Sequence, residues 1–236
     1  PTSLVEELAQ SAPLSHQVRV EARKKNEFSL FQPHLKKMFD LSRQIARCLK
    51  FKNSYEALLD DYEPGLKVVH LDPLFTKLRK NLKEVLQKIQ GKKRDKDSFK
   101  LSGSYPQEKQ KAIAKFVLEK LGFNFNQGRL DISAHPFCMP MPGDVRLTTR
   151  YNEKDFRSSL YGVIHECGHG LYEQGFKKEH FYTPMGRATS HGIHESQSRF
   201  WENMIGRSRP FLNFLLPILR DHFPENLNGL SAEDLF

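Results

Sequence analysis

"YGVIHECGHGLYEQG" (residues 161–175) sets two histidines four residues apart, with a glutamate beside the first. At about 100° per residue, Phe156, Leu160, Val163, Ile164, Cys167 and Leu171 share one face of a helix that runs to Gly175, and that stripe is core. His165 and His169 lie almost opposite, together with Ser158, Gly162 and Tyr172, where small neighbours leave room for another group to approach. Glu166 projects to one side of them. So few charges fall between Leu160 and Leu171 that the helix is expected to be buried on both faces, its histidines packed among polar partners.

H-E-x-x-H is the zincin arrangement: imidazoles one turn apart can hold one Zn²⁺, and the adjacent glutamate can act on a water at that metal. The bare motif is weak evidence. In a chain with ten histidines it arises by accident on the order of a few times in a hundred, and the competing reading is a pair of satisfied core or surface histidines. A third ligand separates the two, because a catalytic zinc takes three protein ligands and keeps a position open. Metzincin spacing requires histidine at the place held by Gly175, which excludes that class. Glu173, Glu179 and Glu195 are the acidic candidates, with His180, His191 and His194 behind them. Glu173 sits one turn past His169 on the same helix and reaches poorly toward a metal between the two rings. Glu195, in "SHGIHESQSRFWEN" (190–203), lies on a separate, apolar-flanked helical segment that can turn back, so it stays open as the third ligand. Its alternative role is an exposed acid paired with Arg199 one turn on.

Working outward, helical periodicity dominates. Residues 17–49 place Val18, Val20, Phe28, Leu30, Phe31, Leu35, Met38, Phe39, Leu41, Ile45 and Leu49 at three- and four-residue spacings, with Pro33 as a start or kink. A second helix is predicted near 72–90, closed by Gly91, and a charged loop over 91–105. A third runs near 106–121, proline at its start and Gly122 at its end. Residues 123–151 change character: "RLDIS" (129–133) and "DVRLTTRY" (144–151) read as two short strands around a proline-rich loop. Asn152, with Asp155 three residues on, is the expected N-cap of the H-E-x-x-H helix. Further helices are predicted over about 191–205, stopped by Gly206, and over 210–223.

Length and composition fit one globular domain, with no repeat or low-complexity linker to divide it. No apolar run is long enough to span a bilayer and the first residues lack a signal-peptide pattern, so the expectation is no membrane and a cytoplasmic setting. Three cysteines without C-x-x-C spacing argue against a disulfide framework or a thiolate zinc cage. The net charge of +9 is carried in runs such as "KLRKNLKEVLQK" (77–88) that interleave acids, which disfavours nucleic-acid binding.

Four linked motifs, "HPF" (135–137), "DVRLTTRY" (144–151), "HECGHGLYEQG" (165–175) and "GIHESQSRFWEN" (192–203), resemble in order and spacing those of the thermostable metallocarboxypeptidase (carboxypeptidase Taq) family. The similarity extends through "ARKKNEFSLFQPHL" (22–35) and "YEALLDDYEPG" (55–65), covering nearly the whole chain. The resemblance implies a mainly α, zincin-like helical peptidase with a small β-element before the H-E-x-x-H helix. It also implies one partial catalytic domain over 1–236, with its metal-binding core at 130–206. It implies Zn²⁺, with cobalt or manganese as alternatives, held by His165, His169 and Glu195, and Glu166 as general base in the hydrolytic removal of C-terminal residues from peptides. Asp144 becomes a candidate acceptor for a ligand imidazole, or else a turn residue after Gly143. His135, Arg146, Tyr172 and Gln197 are candidates to line the groove, although "HPF" could equally be a rigid turn that packs Phe137 inward. Family chains are roughly twice as long, and their I-R-x-x-A-D segment, with the arginine for the substrate carboxylate, has no counterpart here; Arg207 and Arg209 read as surface charges. The loop "MPMPGD" (139–144) also departs from the family pattern. The partners implied are a peptide substrate and either a second copy or a separately encoded complementing segment. The competing function is a non-catalytic zinc-binding remnant or partner-dependent subunit that serves as an interaction scaffold.

Overall fold

Long runs of helix formers with glycine, asparagine and proline at their ends produce a mainly α chain with one small sheet. The computed structural model describes residues 1–91 and 103–235, which fall into two compact units, Pro1–Lys92 and Lys93–Phe236. The sequence-predicted metal core at 130–206 lies wholly in the second unit. Most of the expected charged loop over 91–105 falls outside the described residues.

In the first unit, α1 (Thr2–Lys25) begins well before the expected position 17. Its buried residues are Leu4, Ser11, Ser15 and Ala22, a seam of mostly small side chains. Serine and alanine bury without raising the apolar signal, so periodicity passes over them. The chain turns at Asn26, which takes the left-handed conformation at φ 54°, into α2 (Phe28–Cys48). Pro33 therefore sits inside α2 and does not begin it. Lys37 Nζ meets Glu7 3.1 Å away across the pair. After the short α3 (Ser54–Leu59), the Glu56 carboxylate accepts from the Val68 amide at 2.9 Å and so closes the start of α4 (Val68–Gln90). The predicted stripe of α4 is present, but it buries none of its residues: Phe75, Leu78, Leu82, Val85 and Ile89 are all exposed.

The second unit opens with α5 (Gln107–Leu121), entered through Pro106 and left through Gly122 at φ 96°, as the ends of its sequence predict. Three strands follow: β1 (Gly128–Ile132), β2 (Phe137–Met139) and β3 (Val145–Thr149), in the order β1–β3–β2. β3 pairs parallel with β1, Leu130 opposite Leu147, and antiparallel with β2, Cys138 opposite Leu147. β2 lies in the stretch read as a loop; three residues among prolines are too short for an alternation signal. A Cβ at Gly128 would fall 2.1 Å from the Val145 carbonyl oxygen, so only glycine admits this parallel pairing.

The H-E-x-x-H helix is α6 (Arg157–Gln174), which starts later than the predicted cap. Asn152 accepts from the Lys154 amide and Asp155 from the Arg157 amide, so two successive turns, and not one capping box, lead into it. Its predicted stripe is core, and it is split between two partners. Val163 and Cys167 pack with Val145, Leu147, Leu118 and Phe123 against the sheet. Phe156, Leu160 and Ile164 join Ile113, Val117, Leu215 and Leu219, the last two from α8 (Arg209–His222). Between them, α7 (His191–Arg199) leads directly into a π-helical turn over Phe200–Gly206, where the periodicity predicted one continuous α-helix.

α6 and α7 meet at Gly168. A Cβ there would lie 2.6 Å from Ser198 Cα and 2.7 Å from the Gln197 carbonyl oxygen, both backbone atoms that cannot rotate away. Glycine therefore sets the distance between the helix bearing the histidines and the helix bearing Glu195. Gly168→Ala is expected to push α7 outward and weaken uptake of a divalent metal at least about tenfold, the scale set by a displaced ligand neighbour, while helical content stays near wild type. Chelator competition alongside far-ultraviolet circular dichroism measures both.

Candidate metal centre

Ser190 caps α7, its Oγ accepting from the Ile193 amide at 3.2 Å. This start, together with the close approach at Gly168, carries Glu195 onto the histidine face of α6. Glu195 Oε2 lies 3.6 Å from His165 Nε2 and 3.4 Å from His169 Nε2, and ligand atoms of these three residues all fall within 4.8 Å of one another. A tetrahedral Zn²⁺ with bonds of about 2.0–2.1 Å separates its ligands by roughly 3.3–3.4 Å, so the donor set fits that ion with little adjustment. Both imidazoles are largely enclosed, at 19% and 12% exposed, while the Glu195 side chain keeps 44% open and leaves an approach from solvent.

The two carboxylate oxygens of Glu195 face different neighbours. Its Oε1 accepts from Arg199 Nε at 2.8 Å, the i+4 pair, while Oε2 faces the imidazoles and accepts from Ser198 Oγ at 3.0 Å. Burial alone would raise the Glu195 pKa, but the Arg199 and Ser198 hydrogen bonds outweigh it and hold the carboxyl below its ordinary value. His169 is pushed down to about 4, first by burial and then by the neighbouring His194 and His165. Its ring is therefore neutral at physiological pH, the state in which a nitrogen can donate to a metal.

Glu166 is 6% exposed, and burial pushes its carboxyl up to about 7; Glu195 and Glu202 add to the rise, while His165 and His194 oppose it. A carboxyl poised there can both take and return a proton near neutrality. Among the described residues, His165, His169 and Glu195 form the one group of histidine, cysteine and acidic side chains close enough to hold a metal.

The family model described as "Carboxypeptidase Taq (M32) metallopeptidase" matches residues 1–236. The chain belongs to that family. It is 42% identical to "Thermostable carboxypeptidase 1" of Thermus thermophilus over 99% of its length, and 38% identical to "Carboxypeptidase 1" of Bacillus subtilis over 91%. These alignments take in 48% and 43% of the two relatives, so the chain spans about half the length of the curated relatives it matches. Among solved structures, "BsuCP Crystal Structure" superposes over the whole chain with a TM-score of 0.94 at 35% identity, covering 48% of that protein. A Pyrococcus furiosus carboxypeptidase follows at 0.86 and 37%, also with 48% covered. The metallopeptidase family implies a divalent metal, in keeping with the donor set above, and the zincin-like helical fold expected from the motifs is the one observed.

The remaining predicted residues are placed less centrally. The Asp144 carboxylate pairs with Arg146 at 2.6 Å, and both side chains are more than two-fifths exposed. The acceptor on a ligand imidazole is instead Glu202, whose Oε2 lies 2.9 Å from His165 Nδ1. His135 sits in an exposed bend, where its carbonyl accepts from Thr148 Oγ1, and Phe137 keeps 41% of its surface open, so "HPF" does not pack that ring inward. Tyr172 meets His194 edge to face at 5.6 Å, close to the site, and Gln197 contributes its backbone to the seat of Gly168. Glu173 is no ligand: it lies 2.8 Å from His194 Nε2, and the His194 ring stacks 4.3 Å from that of His169. Arg207 is more than a surface charge, since it bonds Glu202 and stacks 3.8 Å over Tyr161. The missed residue is Glu202; its sequence signal, an acid seven residues after Glu195 beside a tryptophan, says nothing without the π turn.

Glu166 binds its proton more tightly in the folded than in the unfolded chain, so its share of stability falls as pH rises between about 4.5 and 7. His169 acts in the opposite sense, gaining stability as pH rises through its own range from about 4 to 6.5. Glu166→Gln is therefore expected to make the metal-free chain more stable at pH 8 by about 1–3 kcal/mol, with a smaller gain at pH 5. Urea unfolding of the two proteins at both pH values isolates the Glu166 contribution from that of His169.

Proposed function

We propose that the protein is a zinc-dependent metallocarboxypeptidase that releases single residues from peptide C-termini by attack of water, with Glu166 as general base. The observation that carries this reading is the donor set His165 Nε2, His169 Nε2 and Glu195 Oε2 gathered beside a buried carboxyl poised near 7. Names of matched relatives, all carboxypeptidases, support the reaction class.

Zinc supplies Lewis acidity when bound, polarising the scissile carbonyl and lowering the pKa of water toward neutrality. His165 and His169 contribute ring nitrogens from one face of α6, one turn apart, and Glu195 contributes the charge. Glu166, one residue from His165 and shielded from bulk water, takes a proton from the attacking water and returns it to the leaving amine. Recognition of the substrate carboxylate calls for a bidentate arginine. Arg207 is committed to Glu202, and Arg209 pairs with Glu233, so neither is assigned that task.

Occupation of the cytoplasm is part of the same proposal. So is a protein partner, either a second copy or a separately encoded complementing segment, in keeping with the exposed apolar stripe of α4. No described helix is long and apolar enough to cross a membrane.

The direct test is release of C-terminal amino acids from an N-blocked peptide by the zinc-loaded protein. Glu166→Gln should lower turnover by at least about 10²-fold with zinc stoichiometry unchanged. Zinc bound without any release would favour the non-catalytic scaffold.

A further inference from the structure

We propose that Glu202 is the positioning residue of the metal centre, a carboxylate brought in by the π-helical turn to fix the ring of His165 and brace Glu195 through Arg199. The inference rests on the metal reading above and adds a residue to it.

Glu202 is only 14% exposed, and each oxygen is committed. Oε2 lies 2.9 Å from His165 Nδ1 and 3.7 Å from Arg199 Nη1; Oε1 accepts from Arg207 Nη2 at 2.8 Å. Arg199 in turn donates to Glu195 Oε1 at 2.8 Å, so one carboxylate touches the first ligand and, through one guanidinium, the third. Arg207 is itself held over the Tyr161 ring, on the same helix as His165. An acceptor at Nδ1 places the proton there and leaves the lone pair on Nε2, the nitrogen that faces Glu195.

The backbone explains why Glu202 can do this. In a regular α-helix a residue seven places after Glu195 would sit above it on the same face, two turns along. The wider π turn over Phe200–Gly206 carries the side chain around the axis toward α6. Gly206, where a Cβ would stand 3.1 Å from Ile164 Cδ1, lets the turn press against that helix. A buried carboxylate is costly unless it is paired, and this one is paired on one side with His165 and on the other with Arg207.

The experiment compares the whole chain with Glu202→Ala and Glu202→Gln, using zinc alone as the probe. Zinc affinity is read by chelator competition, the His165 tautomer of the metal-free chain by ¹⁵N nuclear magnetic resonance, and folding by circular dichroism. Glu202→Ala should weaken zinc by about 10–100-fold and turn a single Nδ1–H tautomer into a mixture. Glu202→Gln, which keeps an acceptor oxygen, should hold the tautomer and lose less affinity, but more than threefold; it is the decisive variant if Glu202→Ala does not fold. Zinc affinity within threefold of wild type in a folded variant, with the tautomer unchanged, overturns the inference while leaving the metal reading intact. A wild-type chain that takes up no zinc overturns both.

Discussion

The close passage of two backbones at Gly168 is the constraint on which the metal centre depends. Three separate polar atoms must come within a few ångströms, and they arise from helices that are not neighbours along one face. His165 and His169 are placed by α6 alone, since four residues make one turn. Glu195 reaches them only because α7 lies against α6 with no side chain between, and the small Ser198, fully buried at the same place, keeps it there. The sheet and α8 grip the other faces of α6, so the approach cannot be relieved by tilting the helix without opening both cores.

That enclosure also sets the charge chemistry. Three acids, Glu166, Glu195 and Glu202, crowd one region with His165 and His169, and the protein separates the acids' behaviour by hydrogen bonding and burial. Glu195 and Glu202 carry arginine partners and are held as anions below the ordinary carboxylate range, although burial pulls the other way. Burial dominates at Glu166 and raises it toward 7. Two carboxylates that hold their charge and one that can exchange a proton is the division the proposed water activation needs. The same burial drives His169 down, keeping a cation out of the place a metal would take.

Much of this was legible in the sequence, and the exceptions share a cause. The stripe of α6, the ends of α5, and the pairing of His165 and His169 follow from helical spacing, a local rule. Glu195 was legible because Glu173 reaches poorly along its own helix and "GIHESQSRFWEN" resembles the family's motif. Three features were not. The seam of α1 uses serine and alanine, which bury without registering as apolar. β2 depends on a partner strand for its identity, being three residues long. Glu202 depends on a change of helical pitch that no residue between Phe200 and Gly206 announces, and the same pitch turned Arg207 from an apparent surface charge into a partner. Asp144, placed beside the site by its motif, is instead satisfied by its neighbour Arg146 on the same strand edge, an interaction strictly local and therefore easy to form.

The central claim is that three named side chains hold one zinc. Zinc K-edge X-ray absorption on the stoichiometrically loaded protein tests it most directly. The account predicts nitrogen and oxygen neighbours only, at about 2.0–2.1 Å, with imidazole scattering that halves when His169 is replaced by alanine. Sulfur neighbours at about 2.3 Å, or imidazole scattering indifferent to His169, would contradict it.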